Sequence, residues 1–127
     1  ACLGTSLRNH AGEILWDKVS KAASDLLSMG VRELCVIHFP EGGVAVRRDG
    51  ESCARQSHNV PSSQIVSAVE ADDAFCAGCL YAIHEDYPLD GMLEFANASA
   101  RFNLFSATST GGAPTLDEIE SYLQKYQ

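Results

Sequence analysis

Residues 67–79 read Ser67-Ala-Val-Glu-Ala-Asp-Asp-Ala-Phe-Cys-Ala-Gly-Cys79, three carboxylates followed by two cysteines three residues apart. Phe75, Cys76, Cys79, Leu80 and Ile83 recur at steps of three and four, which predicts a helix beginning near Glu70 or Ala71 with these five on its apolar face. Three chemistries suit such a stretch: a catalytic acid at a phosphate site, a metal or redox Cys-x-x-C, or a helix start capped with negative charge. Both cysteines fall inside the helix on its apolar side. No second Cys or His pair stands at structural-zinc spacing, so core thiols are the expected role.

Upstream, Leu15, Val19, Ala22, Ala23, Leu26 and Leu27 predict a helix over Glu13 to Met29, ended by Gly30. The run Leu34-Cys-Val-Ile37 follows, and consecutive apolar residues are expected of a strand buried on both faces of a sheet. Val44-Ala-Val-Arg-Arg48 and Glu51-Ser-Cys-Ala-Arg55 flank Asp49-Gly50, a dipeptide suited to a two-residue hairpin turn. Downstream, Pro88 is well placed in the first turn of a helix carrying Leu89, Met92, Leu93, Ala96 and Ala100. Ser106 to Pro114 reads as a loop. Thr115-Leu-Asp-Glu118 is a capping box opening a last helix through Ile119, Tyr122 and Leu123.

The whole chain, residues 1–127, is expected to form a single domain, and its 46% hydrophobic content suffices for one core. Nine basic residues, scattered, stand against 17 acidic ones for a net charge of −8, so neither nucleic acid nor an anionic membrane is an expected partner. No apolar run approaches the roughly 20 residues of a transmembrane helix. Ala1 to His10 lacks the order of a signal peptide, and a cytoplasmic location with reduced thiols is expected.

The order of elements, with several strings, resembles the C-terminal half of the ribokinase-like (PfkB) carbohydrate kinases. Asp73-Ala-Phe-Cys-Ala-Gly78 is similar to the D-A-F-x-A-G of the family's catalytic helix, and Leu93-Glu-Phe-Ala-Asn-Ala98 to a string beside the adenine pocket. Met29-Gly-Val-Arg-Glu-Leu34, Arg48-Asp-Gly-Glu51 and Ala113-Pro-Thr-Leu-Asp-Glu-Ile119 also match family punctuation. The resemblance runs from about Val19 to Tyr126. It implies an α/β fold of ribokinase type, a mostly parallel sheet flanked by helices with a small β-hairpin, and a nucleotide-binding half that uses ATP and Mg2+ to phosphorylate a sugar hydroxyl. Asp73 matches the base that accepts the hydroxyl proton. Ala71, Asp72, Gly43, Asn97 and Gly112 match positions near the nucleotide.

The sequence departs from the family where phosphate is received. Glu70-Ala71-Asp72-Asp73 stands in place of G-A-G-D, so carboxylates replace two glycines that admit phosphate to backbone N–H groups. A carboxylate about 5 Å from one phosphate charge, at an effective dielectric of about 20, costs on the order of 3 kcal/mol. In a transition state that is roughly a hundredfold in rate. His38-Phe-Pro-Glu-Gly-Gly43 occupies the place of T-L-G-x-x-G and keeps only the last glycine, while Ser67 replaces an Asp. The alternative is therefore a catalytically impaired kinase-like nucleotide-binding or regulatory module.

Each site residue also has a plainer role. Asp73 can be a first-turn carboxylate, Glu70 and Asp72 either a solvated cap or magnesium ligands, and Asn97 a satisfied core amide. Gly112 can belong to a connecting loop. The four histidines are isolated in sequence, and no metal site is expected of them. Family members run to about two domains' worth of chain. The chain is thus expected to need its N-terminal half, or another chain, to cover a sheet edge and supply the sugar contacts.

Overall fold

The computed structural model describes residues 6–57, 61–65, 71–104 and 114–126. Helix α1 (Trp16–Ser28) leads to three strands, β1 (Leu34–Phe39), β2 (Gly42–Arg47) and β3 (Ser52–Gln56). A 3-10 turn (Ser62–Gln64) precedes helices α2 (Ala71–His84), α3 (Leu89–Asn103) and α4 (Leu116–Tyr126). Element order and type follow the hydrophobic periodicity closely. Leu15, expected inside the first helix, is its N-cap, with the Leu15 carbonyl accepting from the Val19 N–H at 3.0 Å.

The mostly parallel sheet implied by the family resemblance is not what the described strands form. They lie in the order β1-β2-β3, and both pairings are antiparallel. Connection length dictates this: only Pro40 and Glu41 separate β1 from β2, whereas a parallel pair needs a crossover of about a dozen residues or more. The strand buried on both faces is β2, buried from Gly42 through Val46, rather than β1, which is only partly buried along most of its length. The outer edge of β1 has no partner strand among the described residues.

Alternation along β2 sorts the core into two layers. Val44 and Val46 join Val19, Ala23, Leu27, Cys35 and Phe39 beneath α1, while Ala45 joins Phe75, Cys79, Met92, Leu93 and Ala96 of α2 and α3. The β2–β3 hairpin is present, but its connection spans Arg48 to Glu51 and only Gly50 takes a positive φ, +98°. Asp49 instead accepts the Glu51 N–H on its side chain at 2.9 Å. The expected two-residue turn is thus a four-residue one. At α4 the capping box forms as read: Thr115 N–H donates to Glu118 Oε2 at 2.6 Å, and Glu118 N–H to Thr115 Oγ1 at 3.3 Å.

The apolar face of α2 is rotated from its expected place. Phe75, Gly78, Cys79 and Ala82 are buried, whereas Cys76, Leu80 and Ile83 are exposed, Leu80 to 63%. Apolar residues surround this helix almost completely, so periodicity alone leaves its inner side open. Backbone approach decides it. A Cβ on Gly78 would lie 2.9 Å from both Ala96 Cα and Ser99 Oγ of α3, so the side carrying Gly78 is the one along which two helices can meet.

Candidate functional site

The candidate site begins where β1 ends beside the first turn of α2. His38 Nδ1 lies 2.7 Å from Asp72 Oδ1, a contact between residues 34 apart in the chain. The imidazole is stacked on the Phe75 ring, centroids 3.9 Å apart and planes inclined by 14°. Phe75 is buried and in turn closes over Gly43, where an added Cβ would meet its ring at 3.0 Å. His38 is therefore held by β1 on one side and by a core aromatic on the other. Asp72, otherwise 89% exposed, is held by His38.

Burial lowers the His38 pKa from its ordinary value, opposed by the hydrogen bond and charge of Asp72. The imidazole is accordingly neutral near pH 7, and its Nδ1–H donates to the carboxylate. Asp73, the next residue, is exposed and has no side-chain partner among the described residues. The first turn of α2 thus carries one tethered carboxylate and one free one.

The described site candidates lie on a single arc. Asn97 of α3 reaches the Arg55 carbonyl with Nδ2 at 3.5 Å; Arg55 is register-paired with Gly43, and Gly43 with His38. Asn97 is buried, and its Oδ1 has no hydrogen-bond partner among the described residues. A buried amide oxygen without a donor is an acceptor awaiting one, so Asn97 does not fit the role of a satisfied core amide. Ala71 opens α2 and is half-buried. Glu70 and Gly112 lie outside the described residues. Gly43 is accounted for by its contact with Phe75, and Gly42 by its backbone: φ is +149°, and a Cβ there would run into the Arg55 carbonyl.

His38 is the residue that sequence reasoning passed over, because nothing near it in the chain could partner it. A signal existed in the pairing of departures. His38 lies in one altered string and Asp72 in the other, and the fold brings the two departures into contact. The cysteines behave as core thiols where buried: desolvation raises the pKa of Cys35, and burial first, then the neighbouring Cys76, pushes that of Cys79 up to about 12. All four described cysteines are free, and no group of three metal-ligating side chains occurs among the described residues.

A family model of the pfkB family carbohydrate kinases matches residues 8–116. The chain belongs to this family. A 5-dehydro-2-deoxygluconokinase from Geobacillus thermodenitrificans is 25% identical over 104 residues, which are 82% of this chain and 30% of that protein. A ribokinase from Arabidopsis thaliana, solved with ribose and ATP, superposes with a TM-score of 0.75 at 19% identity, over 89% of this chain and 35% of its own. An Escherichia coli protein solved with ATP and Mg2+ gives 0.72 at 21% identity, over 83% and 33%. The fold is therefore ribokinase-like. The chain spans about a third of the length of these proteins.

Against an ATP molecule the two ends of the family site differ. Were adenine held where the family resemblance implies, Asn97 Oδ1, without a partner among the described residues, would suit an exocyclic amine donor. On the same resemblance Asp72 would put a carboxylate beside the phosphates, although two exposed carboxylates could serve a magnesium ion whose other ligands were phosphate oxygens and water. At 89% exposure the repulsion is screened, and the dielectric near Asp72 approaches that of water. The cost then falls from about 3 kcal/mol to about 1 kcal/mol.

Proposed function

We propose that this chain is the nucleotide-binding portion of an ATP-dependent carbohydrate kinase in which Asp73 accepts the proton of the attacking sugar hydroxyl. The observation that carries this reading is the division of labour in the first turn of α2: Asp72 is engaged by His38, while Asp73, in the frame of D-A-F-x-A-G, is exposed and free to take a proton. ATP with Mg2+ would supply the transferable phosphoryl group. Asn97 would hold the adenine, and the α2 N-terminus would face the phosphates. The sugar contacts, and the cover for the open β1 edge and for exposed Leu80 and Ile83, would come from the rest of the kinase polypeptide or from another chain. A nucleotide and a small sugar, not nucleic acid or membrane, are the partners this acidic surface suits, in the cytoplasm; no described helix is long and apolar enough to cross a membrane.

The test is Asp73→Asn in the native protein, assayed for phosphoryl transfer from ATP to a panel of sugars. Loss of a general base lowers kcat by about a hundredfold to ten-thousandfold, with the thermal transition unchanged. Undiminished turnover sinks the assignment. One observation favours a second reading, that of a nucleotide-binding module with impaired transfer. His38 fixes a carboxylate beside the place where the phosphate must come. Wild-type protein that binds nucleotide without turnover supports it.

A further inference from the structure

The contact between His38 and Asp72 bears on which nucleotide the site takes. An exposed aspartate on a helix terminus ordinarily swings away from an approaching anion at little cost. Asp72 lacks that freedom. Its Oδ1 is bonded at 2.7 Å to an imidazole that is only 17% exposed and is stacked on the buried Phe75 ring. Swinging away breaks this hydrogen bond and leaves the Nδ1–H of a largely buried ring unpaired. The imidazole does not offset the carboxylate, since burial disfavours its charged form. Asp73 beside it is free and adds a second negative charge to the same turn.

We infer that the site discriminates against the γ-phosphate and prefers a nucleoside diphosphate to a triphosphate, with Asp72 the residue that sets the preference and His38 the residue that positions it. This inference rests on the nucleotide-binding reading above and adds the class of nucleotide. A diphosphate leaves the first turn of α2 to its own tethered carboxylate, whereas a triphosphate must bring a further charge against it. The base and ribose contacts are common to both nucleotides, so the difference reports the phosphate end alone.

The experiment is calorimetric titration of the protein with MgADP, MgATP and adenosine, repeated on Asp72→Gly and His38→Gln. The wild type is expected to bind MgADP about fivefold more tightly than MgATP. Asp72→Gly should remove or reverse that preference while leaving adenosine affinity unchanged. His38→Gln, which releases Asp72 without removing its charge, should narrow the preference. Wild-type affinity for MgATP equal to or above that for MgADP overturns the inference but leaves the nucleotide-binding reading standing. A preference that survives Asp72→Gly overturns the role given to this residue. Binding of none of the three ligands overturns the nucleotide reading and the inference with it. Should Asp72→Gly fray the helix, Asp72→Asn keeps the side chain's size and removes only its charge.

Discussion

The first turn of α2 and the buried side of the same helix have departed from the family pattern to very different degrees. Phe75 and Gly78 sit in the frame of D-A-F-x-A-G and, with Cys79 just beyond it, pack against β2 and α3, whereas Glu70 and Asp72, five and three residues before Phe75, stand in place of glycines. One helix thus carries a part answerable to packing and a part answerable to chemistry. A Cβ on Gly78 meets the α3 backbone at 2.9 Å, while Asp72 stands in solvent with a single contact to satisfy. The fold depends far more on the first than on the second. A family's architecture is accordingly a firmer inference from such a chain than its catalysis.

The comparison is tested most strongly by thiol chemistry, since Cys76 and Cys79, neighbours one turn apart on α2, differ in exposure. Cys76 is exposed, and the Cys79 thiol is buried with its pKa pushed up to about 12. An alkylating probe under native conditions should label Cys76 at least about a thousandfold faster than Cys79, read by mass spectrometry of the peptides; equal rates would mean that the buried side opens. Next in size, Gly78→Val should destabilise the fold by about 1–3 kcal/mol through overpacking against Ala96 and Ser99, measured by urea denaturation. Asp72→Gly should cost less, about 1 kcal/mol, because the carboxylate it removes is exposed and the one group it leaves unpaired is the His38 Nδ1–H. A large loss of stability there would erase the distinction between the two regions.

Between α2 and α3 the chain turns on Asp86, which has φ +57°, with the Tyr87 N–H reaching back to the Ala82 carbonyl at 2.9 Å. Glycine suits that conformation better than aspartate. Asp86→Gly should raise stability by about 0.5–1 kcal/mol, seen as a higher thermal midpoint.

The smallest effect belongs to His38, where burial and Asp72 pull the pKa in opposite directions and burial prevails. The unfolded chain holds its imidazole proton up to the ordinary histidine value of 6.5, and the folded chain gives it up at lower pH. Between those two values the unfolded state binds more protons, so this group's contribution to stability rises with pH there and is lost as pH falls through the window. Denaturation curves taken from pH about 7 down to about 5 should therefore fall more steeply for wild type than for His38→Gln. Parallel curves would contradict the buried, neutral histidine.

Most of the element order was legible because β1, α1, α3 and α4 carry their own local signals: a consecutive apolar run, a one-sided periodicity, a proline at a helix start, a capping box. The sense of the sheet was not legible by analogy. It was present in the chain all the same, in the two residues between Phe39 and Gly42 that leave no room for a crossover. The orientation of α2 was hidden because apolar residues surround it, and only the closeness of Ala96 to Gly78 selects a side. Asp72 and Asn97 were named from the sequence, but what surrounds them depends on contacts across 34 and 42 residues of chain. Separations of that length leave no periodic trace.

The bond between His38 and Asp72 also makes these two positions epistatic. Returning Asp72 alone to glycine strands the imidazole Nδ1–H against the Phe75 ring, and replacing His38 alone leaves an untethered carboxylate in the first turn. Each single change meets a partner shaped for its absence, so the path back to the family's phosphate-receiving turn runs through both positions together. The quantity that exposes this is the coupling energy of a double-mutant cycle across the pair.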